Sequence, residues 1–149
     1  ELSGLVEELK TEYELRQGGL QIVEVAGGCQ MIAHPRFGLV LSQIYGVKNS
    51  NKLSQTALEV LAIVAYKQPI TKTEIEAIRG VSCERVLKLL MEKDLVVISG
   101  RRETPGKPLE FATTKNFLKV FGLRSIDDLP KLREIKEMEF EIRESGENE

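Results

Sequence analysis

Apolar positions along this chain fall into a few clear periodicities. Leu2, Leu5, Val6, Leu9 and Tyr13 recur at steps of three and four, which puts them on one face of a helix. Glu7, Glu8, Lys10, Thr11 and Glu14 hold the other face. Gly18-Gly19 stops that helix. Leu20–Val25 and Cys29–Ala33 then read as two strands. Ala26-Gly27-Gly28 is the turn between them, where glycine supplies the positive φ of a tight hairpin. Pro35 suits the first turn of a further helix, which carries Phe37, Val40, Leu41 and Ile44 and ends at Gly46.

The next stretch is polar, with Lys48-Asn49-Ser50-Asn51-Lys52 at its centre, and reads as a linker over 48–53. From Ser54, the positions Ala57, Leu58, Val60, Leu61, Ile63, Val64 and Ala65 predict a helix that is apolar nearly all round. Such a helix belongs in the middle of a core. Gln68-Pro69 ends it. Thr71 or Thr73 caps a short helix through Ile75 and Ile78, closed by Gly80. Ser82 caps the next helix, where Arg85 stands at the third position instead of Glu, so no capping box forms. Val86, Leu87, Leu89 and Leu90 make up its buried side. Two short helices joined by a tight glycine turn are the helix-turn-helix signature. Leu95–Ser99 reads as a strand, Gly100–Pro108 as a basic, turn-rich loop, and Leu109–Ala112 as the return strand. Thr113 or Thr114 caps a helix with Phe117, Leu118 and Phe121, stopped by Gly122. Ser125 caps a last short turn that ends at Pro130.

Helix, helix, helix, strand, loop, strand is the order of a winged helix, and residues 54–112 follow it. The first segment follows only its back half, and that order recurs about 79 positions later, when Ala33 is set against Ala112. The expected fold is mainly α with small β-hairpins (α+β): tandem winged-helix domains, the first lacking its opening helices. The division is a partial N-terminal unit over 1–47, the linker 48–53, a second winged-helix domain over 54–123, and an acidic C-terminal extension over 124–149. A partial sequence is the simplest account of the missing front, and a reduced first domain is the alternative. Either way, a helix and a hairpin cannot bury their own apolar stripe. Leu2, Leu5, Val6 and Leu9 must therefore meet missing helices, the second unit or another chain.

Composition narrows the function classes. Of 149 residues, 42% are apolar and 30% charged, the balance of a soluble globular protein. No apolar run approaches the roughly 18 residues of a membrane span, and the front carries no signal-peptide pattern. Cys29 and Cys83 cannot build a disulfide framework or a zinc ribbon, and a reducing, cytoplasmic setting fits them. The net charge of −2 conceals a gradient. Residues 1–53 hold 5 basic and 6 acidic side chains, 54–123 hold 11 and 8, and 124–149 hold 5 and 9. The middle is mildly basic, short of a strong DNA-binding footprint, and the acidic end repels phosphate. Leu132, Ile135, Met138 and Ile142 lie among those acids, so the tail reads either as an amphipathic helix that docks or as a frayed acidic end.

Catalytic readings find little support. His34, beside Pro35 at a helix start, reads as structural or exposed. Cys83 sits at a helix front, where a thiolate is favoured, but has no base beside it. Pro105-Gly106-Lys107 resembles the end of a phosphate loop, yet Arg101 stands where that loop needs glycine and Pro108 where it needs a hydroxyl. It also lies between strands and opens no helix. No catalytic residue, cofactor or metal is expected. With no Trp and 5% aromatics, a base-stacking platform is not expected either.

A winged helix often reads DNA, and the helix from Ser82 to Lys93 is the one that would enter the major groove. Its outward charges are Glu84, Arg85, Lys88 and Glu92, and two acids among four oppose phosphate contact. Only the wing, with Arg101, Arg102 and Lys107, is clearly basic. The pattern suits a protein partner instead, and Pro105 and Pro108 stiffen the wing and reduce the entropy lost on binding.

Residues 54–130 closely resemble the bacterial segregation and condensation protein B family. The resemblance rests on Leu58-Glu59-Val60-Leu61-Ala62-Ile63-Val64-Ala65-Tyr66-Lys67-Gln68-Pro69-Ile70 and on Glu74-Ile75 through Ile78-Arg79-Gly80-Val81. It continues through Gly100-Arg101, Thr104-Pro105-Gly106-Lys107-Pro108, Thr113-Thr114, Phe117-Leu118, Phe121-Gly122-Leu123 and Asp127-Asp128-Leu129-Pro130. The resemblance implies tandem winged helices, a homodimer formed through the first unit, and a non-catalytic place in the prokaryotic SMC complex. There the protein binds the kleisin subunit, segregation and condensation protein A (ScpA), and through it the SMC ATPase. It also implies a cytoplasmic, nucleoid-associated role in chromosome condensation and partition during cell division. The candidate partner-binding residues are Tyr66, Arg79, Arg85, Arg101, Arg102 and Lys107, with the Gln68-Pro69-Ile70 turn beside them. Reversing Arg101 and Arg102 to Glu is expected to weaken kleisin binding and leave the fold intact. The alternative is a winged-helix DNA-binding regulator, which a steep loss of duplex affinity between about 50 and 200 mM salt would reveal.

Overall fold

The computed structural model describes residues 2–46 and 52–131. Most of the expected linker and the acidic extension beyond Lys131 lie outside the described residues. The first group of elements is α1 (Leu2–Leu15), a hairpin of β1 (Leu20–Val25) and β2 (Gly28–Ala33), a 3-10 turn (Pro35–Phe37) and α2 (Gly38–Tyr45). The hairpin pairs Leu20 with Ala33 and closes at Val25–Gly28. Its turn is only Ala26-Gly27, both at positive φ (52° and 73°), as a two-residue hairpin turn of matching twist requires. His34 takes the structural role: its Nδ1 accepts the Arg36 N–H at 3.3 Å and caps the 3-10 turn. Neither α1 nor α2 buries a residue, and Leu2 and Leu39 are 80% and 81% exposed.

The second group holds the core. It runs α3 (Gln55–Lys67), β3 (Ile70–Thr71), α4 (Lys72–Arg79), α5 (Glu84–Glu92), β4 (Val96–Arg101), β5 (Leu109–Thr113) and α6 (Lys115–Phe121), followed by a 3-10 turn (Ile126–Asp128). Ala57, Val60, Leu61 and Val64 from α3 meet Ile75 from α4, Leu87 and Leu90 from α5, Phe111 from β5 and Phe117 from α6. The strands form a three-stranded antiparallel sheet in the order β3-β5-β4. This is a winged helix, with residues 102–108 as the wing loop. β3 has too few residues to leave any periodic trace in the sequence. β4 runs two residues further than expected, through a bulge between Ile98 and Gly100.

Three local expectations need correction. Ser82 does not cap α5. Its hydroxyl donates to Glu76 Oε1 at 3.0 Å, the Cys83 N–H donates to the same oxygen at 3.0 Å, and Cys83 is the first-turn boundary. A carboxylate from α4 thus does the work expected of a local serine. Leu89, expected on the buried side of α5, is 38% exposed, because the buried stripe of α5 is narrower than its apolar run. Finally, α3 is not enclosed all round: Leu58, Ala62 and Tyr66 remain exposed on one side.

Elsewhere the capping chemistry follows the residues. Ser54 accepts the Ala57 N–H at 3.2 Å. Thr71 and Glu74 form a reciprocal capping box on α4, and Gly80 ends that helix at φ 74°, a conformation glycine adopts without strain. Thr114 accepts the Phe117 N–H at 3.1 Å, and its own hydroxyl donates to the Asp94 carbonyl at 2.6 Å. Between the two groups, the Ala26 and Gly27 N–H groups of the hairpin turn donate to the carbonyls of Leu123 and Arg124, each at 2.9 Å. Among the described residues no helix is long and apolar enough to cross a membrane.

Candidate partner-binding surface

The six residues singled out in the sequence divide into those held inward and those left to reach out. Arg102 is held. Its Nε donates to Glu110 Oε1 at 2.8 Å, one Nη to Glu74 Oε1 at 2.5 Å, and the other to the Pro69 carbonyl at 3.3 Å. One guanidinium therefore ties the wing's root to β5, to the front of α4 and to the end of the α3–β3 connection. The Arg102 guanidinium, with the Thr71 N–H and hydroxyl, pulls the Glu74 carboxyl down to about 2. The two carboxylates in turn raise Arg102 above its ordinary value. The expectation that Arg101 and Arg102 can be reversed together without harm to the fold is therefore corrected at Arg102, whose reversal removes three contacts that hold the wing.

Arg79 is held as well. Its side chain is 11% exposed and one Nη sits 3.3 Å from Glu59 Oε2 on α3, while the other Nη is buried with no hydrogen-bond partner among the described residues. It works as a strut between α4 and α3. The Gln68-Pro69-Ile70 turn is also built in. Gln68 Oε1 accepts the Thr113 N–H at 2.7 Å and the Thr113 hydroxyl at 3.0 Å, and Ile70 is buried.

Arg85, Arg101, Lys107 and Tyr66 are exposed. Arg85 stands in the first turn of α5 with no ion-pair partner among the described residues, and Lys88 follows on the same helix. Arg101 donates one Nη–H to the Lys107 carbonyl at 3.2 Å, which closes the wing loop across its neck and leaves the Lys107 ammonium outward. Tyr66 lies on the last turn of α3, and its hydroxyl donates to the Pro130 carbonyl at 2.7 Å. The structure thus brings Arg101 and Lys107 together on the wing, and places Arg85 on α5 and Tyr66 on α3.

The outer face of α5 is nearly balanced in charge. Glu84 is neutralised by Lys72 at 2.6 Å, leaving Arg85, Lys88 and Glu92. Cys83 is fully buried, and burial, then the nearby Glu76 carboxylate, push its thiol upward, away from nucleophilic use. Among the described residues no group of three His, Cys, Asp or Glu side chains is arranged to hold a metal ion.

One feature escaped the sequence reading. Leu58, Ala62 and Tyr66 of α3 face Phe117 and Phe121 of α6 across an apolar cleft of about 250 Å³, with Leu129 also lining it. The signal was the four-residue spacing of Leu58, Ala62 and Tyr66, hidden because α3 is apolar on its other faces too.

Comparison with known proteins gives a consistent result. A family model described as "Segregation and condensation complex subunit ScpB" matches residues 1–132. Segregation and condensation protein B of Alkaliphilus metalliredigens is 42% identical over 135 residues, which is 91% of this chain and 71% of that protein. The protein of the same name from Brevibacillus brevis is 46% identical over 131 residues, covering 88% of this chain and 68% of its own length. The crystal structure of ScpB from Mycobacterium tuberculosis is 30% identical, with a TM-score of 0.48 and coverage of 81% of this chain and 75% of that one.

Proposed function

This chain belongs to the segregation and condensation complex subunit ScpB family, and from that premise we propose that it is a non-catalytic adaptor that grips the kleisin subunit (ScpA) and through it joins the SMC ATPase. The family match across residues 1–132 carries this reading. The work is chromosome condensation and partition, in the cytoplasm and at the nucleoid. Residues 1–47 act as the first unit and dimerise through the apolar faces of α1 and α2. Residues 54–123 act as the second winged helix, and Arg85, Arg101 and Lys107 offer it cationic contacts for a partner.

The charge pattern supports a polypeptide over duplex DNA as that partner. Phosphate binding needs several free cations on one face. Here Arg102 is consumed by Glu74 and Glu110, and Lys72 is spent on Glu84. Glu92 shares the outer face of α5 with Arg85 and Lys88.

Calorimetry of the full chain against purified kleisin tests the proposal. Stoichiometric binding is expected, with negligible duplex affinity at low salt. Arg101→Glu and Arg85→Glu should each weaken kleisin binding roughly tenfold, the equivalent of about 1.4 kcal/mol. Kleisin affinity unchanged in both variants removes the wing and α5 from the interface. Tight, salt-sensitive duplex binding with no kleisin binding overturns the whole reading.

A further inference from the structure

Among the described residues, every pair of elements that packs extensively lies within the first group or within the second. What joins the two groups is small and specific. The β1–β2 ladder pairs its last residues at Val25 and Gly28, so the N–H groups of Ala26 and Gly27 lie outside it. Both are nonetheless bonded. They donate to two adjacent carbonyls of the second group, Leu123 and Arg124, each at 2.9 Å.

The accepting side is held in place by contacts inside the second group. α6 ends at Gly122 in the left-handed conformation, and the Leu123 N–H turns back to the Leu118 carbonyl at 2.8 Å. The Leu123 side chain packs against the core. Asp128 then fixes the next residue. Its Oδ2 accepts the Arg124 backbone N–H at 2.9 Å and the Nε–H at 3.0 Å, and its Oδ1 accepts an Nη–H at 3.0 Å.

Charge crosses the same joint. Lys10 of α1 sits 3.4 Å from Glu24 of β1. Glu24 and Cys29 from the hairpin line one cavity of about 300 Å³ with Arg124. Arg124 is raised above its ordinary value, first by Asp128 and more weakly by Glu24. The signs alternate from Lys10 through Glu24 and Arg124 to Asp128, an order that favours the joined arrangement.

We propose that the Ala26-Gly27 turn and the 123–128 turn form a latch: closed, it fixes the first group of elements against the second, and released, it lets the first group turn as a body. Asp128 is the residue that positions the latch. Its strength is suited to opening. Net of exchange with water, one hydrogen bond shifts an equilibrium roughly two- to tenfold. Two bonds then favour the closed form roughly five- to hundredfold, which leaves roughly one to twenty per cent of molecules open. The latch stands on these contacts alone and is independent of the kleisin reading.

Amide exchange followed by nuclear magnetic resonance on the full chain reads the latch directly. The Ala26 and Gly27 amides are expected to exchange roughly five- to hundredfold slower than unprotected amides, at a rate independent of protein concentration. Asp128→Ala should remove most of that protection. Arg124→Ala keeps the backbone N–H that Asp128 holds and should remove part of it. Unchanged Leu87 and Leu90 amides verify the fold in each variant. Residual dipolar couplings give a second readout: α1 and α3 should share one alignment tensor in the parent and require two in Asp128→Ala. Unprotected Ala26 and Gly27 amides in the parent overturn the proposal, as do separate tensors there. Protection that survives Asp128→Ala also overturns it. Protection that grows with protein concentration assigns the contact to two copies of the chain and overturns it as well. Should Asp128→Ala lose its core protection, Arg124→Ala decides: a loss of at least about twofold at Ala26 and Gly27 supports the latch, and no change overturns it.

Discussion

Leu90→Ala tests which side of α5 the protein hides. Leu90 has no exposed surface, and it meets α3 within the core, where Leu61 and Val64 are also closed to solvent. Shortening it to alanine removes three buried carbons, worth about 2.4 kcal/mol at roughly 0.8 kcal/mol for each methylene. The cavity left behind adds to this, because close-packed neighbours relax only partly, and buried Leu→Ala changes cost about 2.7–5 kcal/mol in all. A domain of this size has about 5–15 kcal/mol to lose, so a destabilisation of about 3–4 kcal/mol should be plain in equilibrium urea unfolding. The midpoint should fall while the slope stays constant. Leu89→Ala is the control. Its side chain is 38% exposed, and its cost should stay below about 1 kcal/mol. Equal costs at the two positions would mean that α5 is rotated from the orientation described. The claim that Arg85 and Lys88 face outward would then fall with it.

Other outcomes follow from single contacts. Ser54→Ala removes the acceptor for the Ala57 N–H and should cost about 1 kcal/mol in thermal or urea unfolding, with the α3 amides exchanging faster; no change would show that water replaces the cap fully. Glu74 titrates near 2, below its ordinary 4.5. Its contribution is therefore complete above about pH 4.5 and is lost as pH falls toward 2, with protonation the destabilising direction. The Arg102 Nη–H resonance of the Glu74 contact should persist through pH 4 and vanish only near pH 2, and in Glu74→Gln the wing amides should lose exchange protection already at neutral pH. Arg102→Glu should place the guanidinium's former partners, Glu74 and Glu110, beside a third carboxylate and loosen the wing. Arg101→Glu removes only the bond to the Lys107 carbonyl and should raise wing exchange much less than Arg102→Glu does, and similar exchange in both variants would refute the division between held and reaching arginines.

How far the sequence revealed the molecule depends on the range of the interaction. Capping and turn chemistry are local, so Ser54, Gly80 and Gly122 marked their helix ends, the caps narrowed to Thr71 or Thr73 and to Thr113 or Thr114, of which Thr71 and Thr114 serve, and the wing hairpin followed from its two apolar runs. Glu76 shows the limit. It caps α5 from the preceding helix, reaching the Cys83 N–H across seven positions, and no local pattern anticipates that. Arg102 shows it more sharply. Beside Arg101 and ahead of Lys107 it reads as one more wing cation, and only the fold brings Glu74, 28 positions away, to within 2.5 Å. Charge in a sequence counts what is present, whereas a binding surface depends on what folding leaves unspent.

That distinction also bears on what the winged helix does here. A groove-reading version of this fold would keep its wing and α5 cations free, since each phosphate contact trades a condensed counterion for a side chain. In this chain Arg102 braces the wing, Lys72 neutralises Glu84, and Arg79 spans α3 and α4. Each of these cations contributes to the rigidity of the domain instead of to a field around it. Meanwhile apolar side chains are left uncovered, Leu58 and Phe121 on α3 and α6, and Leu2, Leu39 and Ile44 on α1 and α2. A scaffold that spends several of its charges inward and leaves apolar helix faces open is suited to holding polypeptide, because apolar burial adds to what the few outward cations supply.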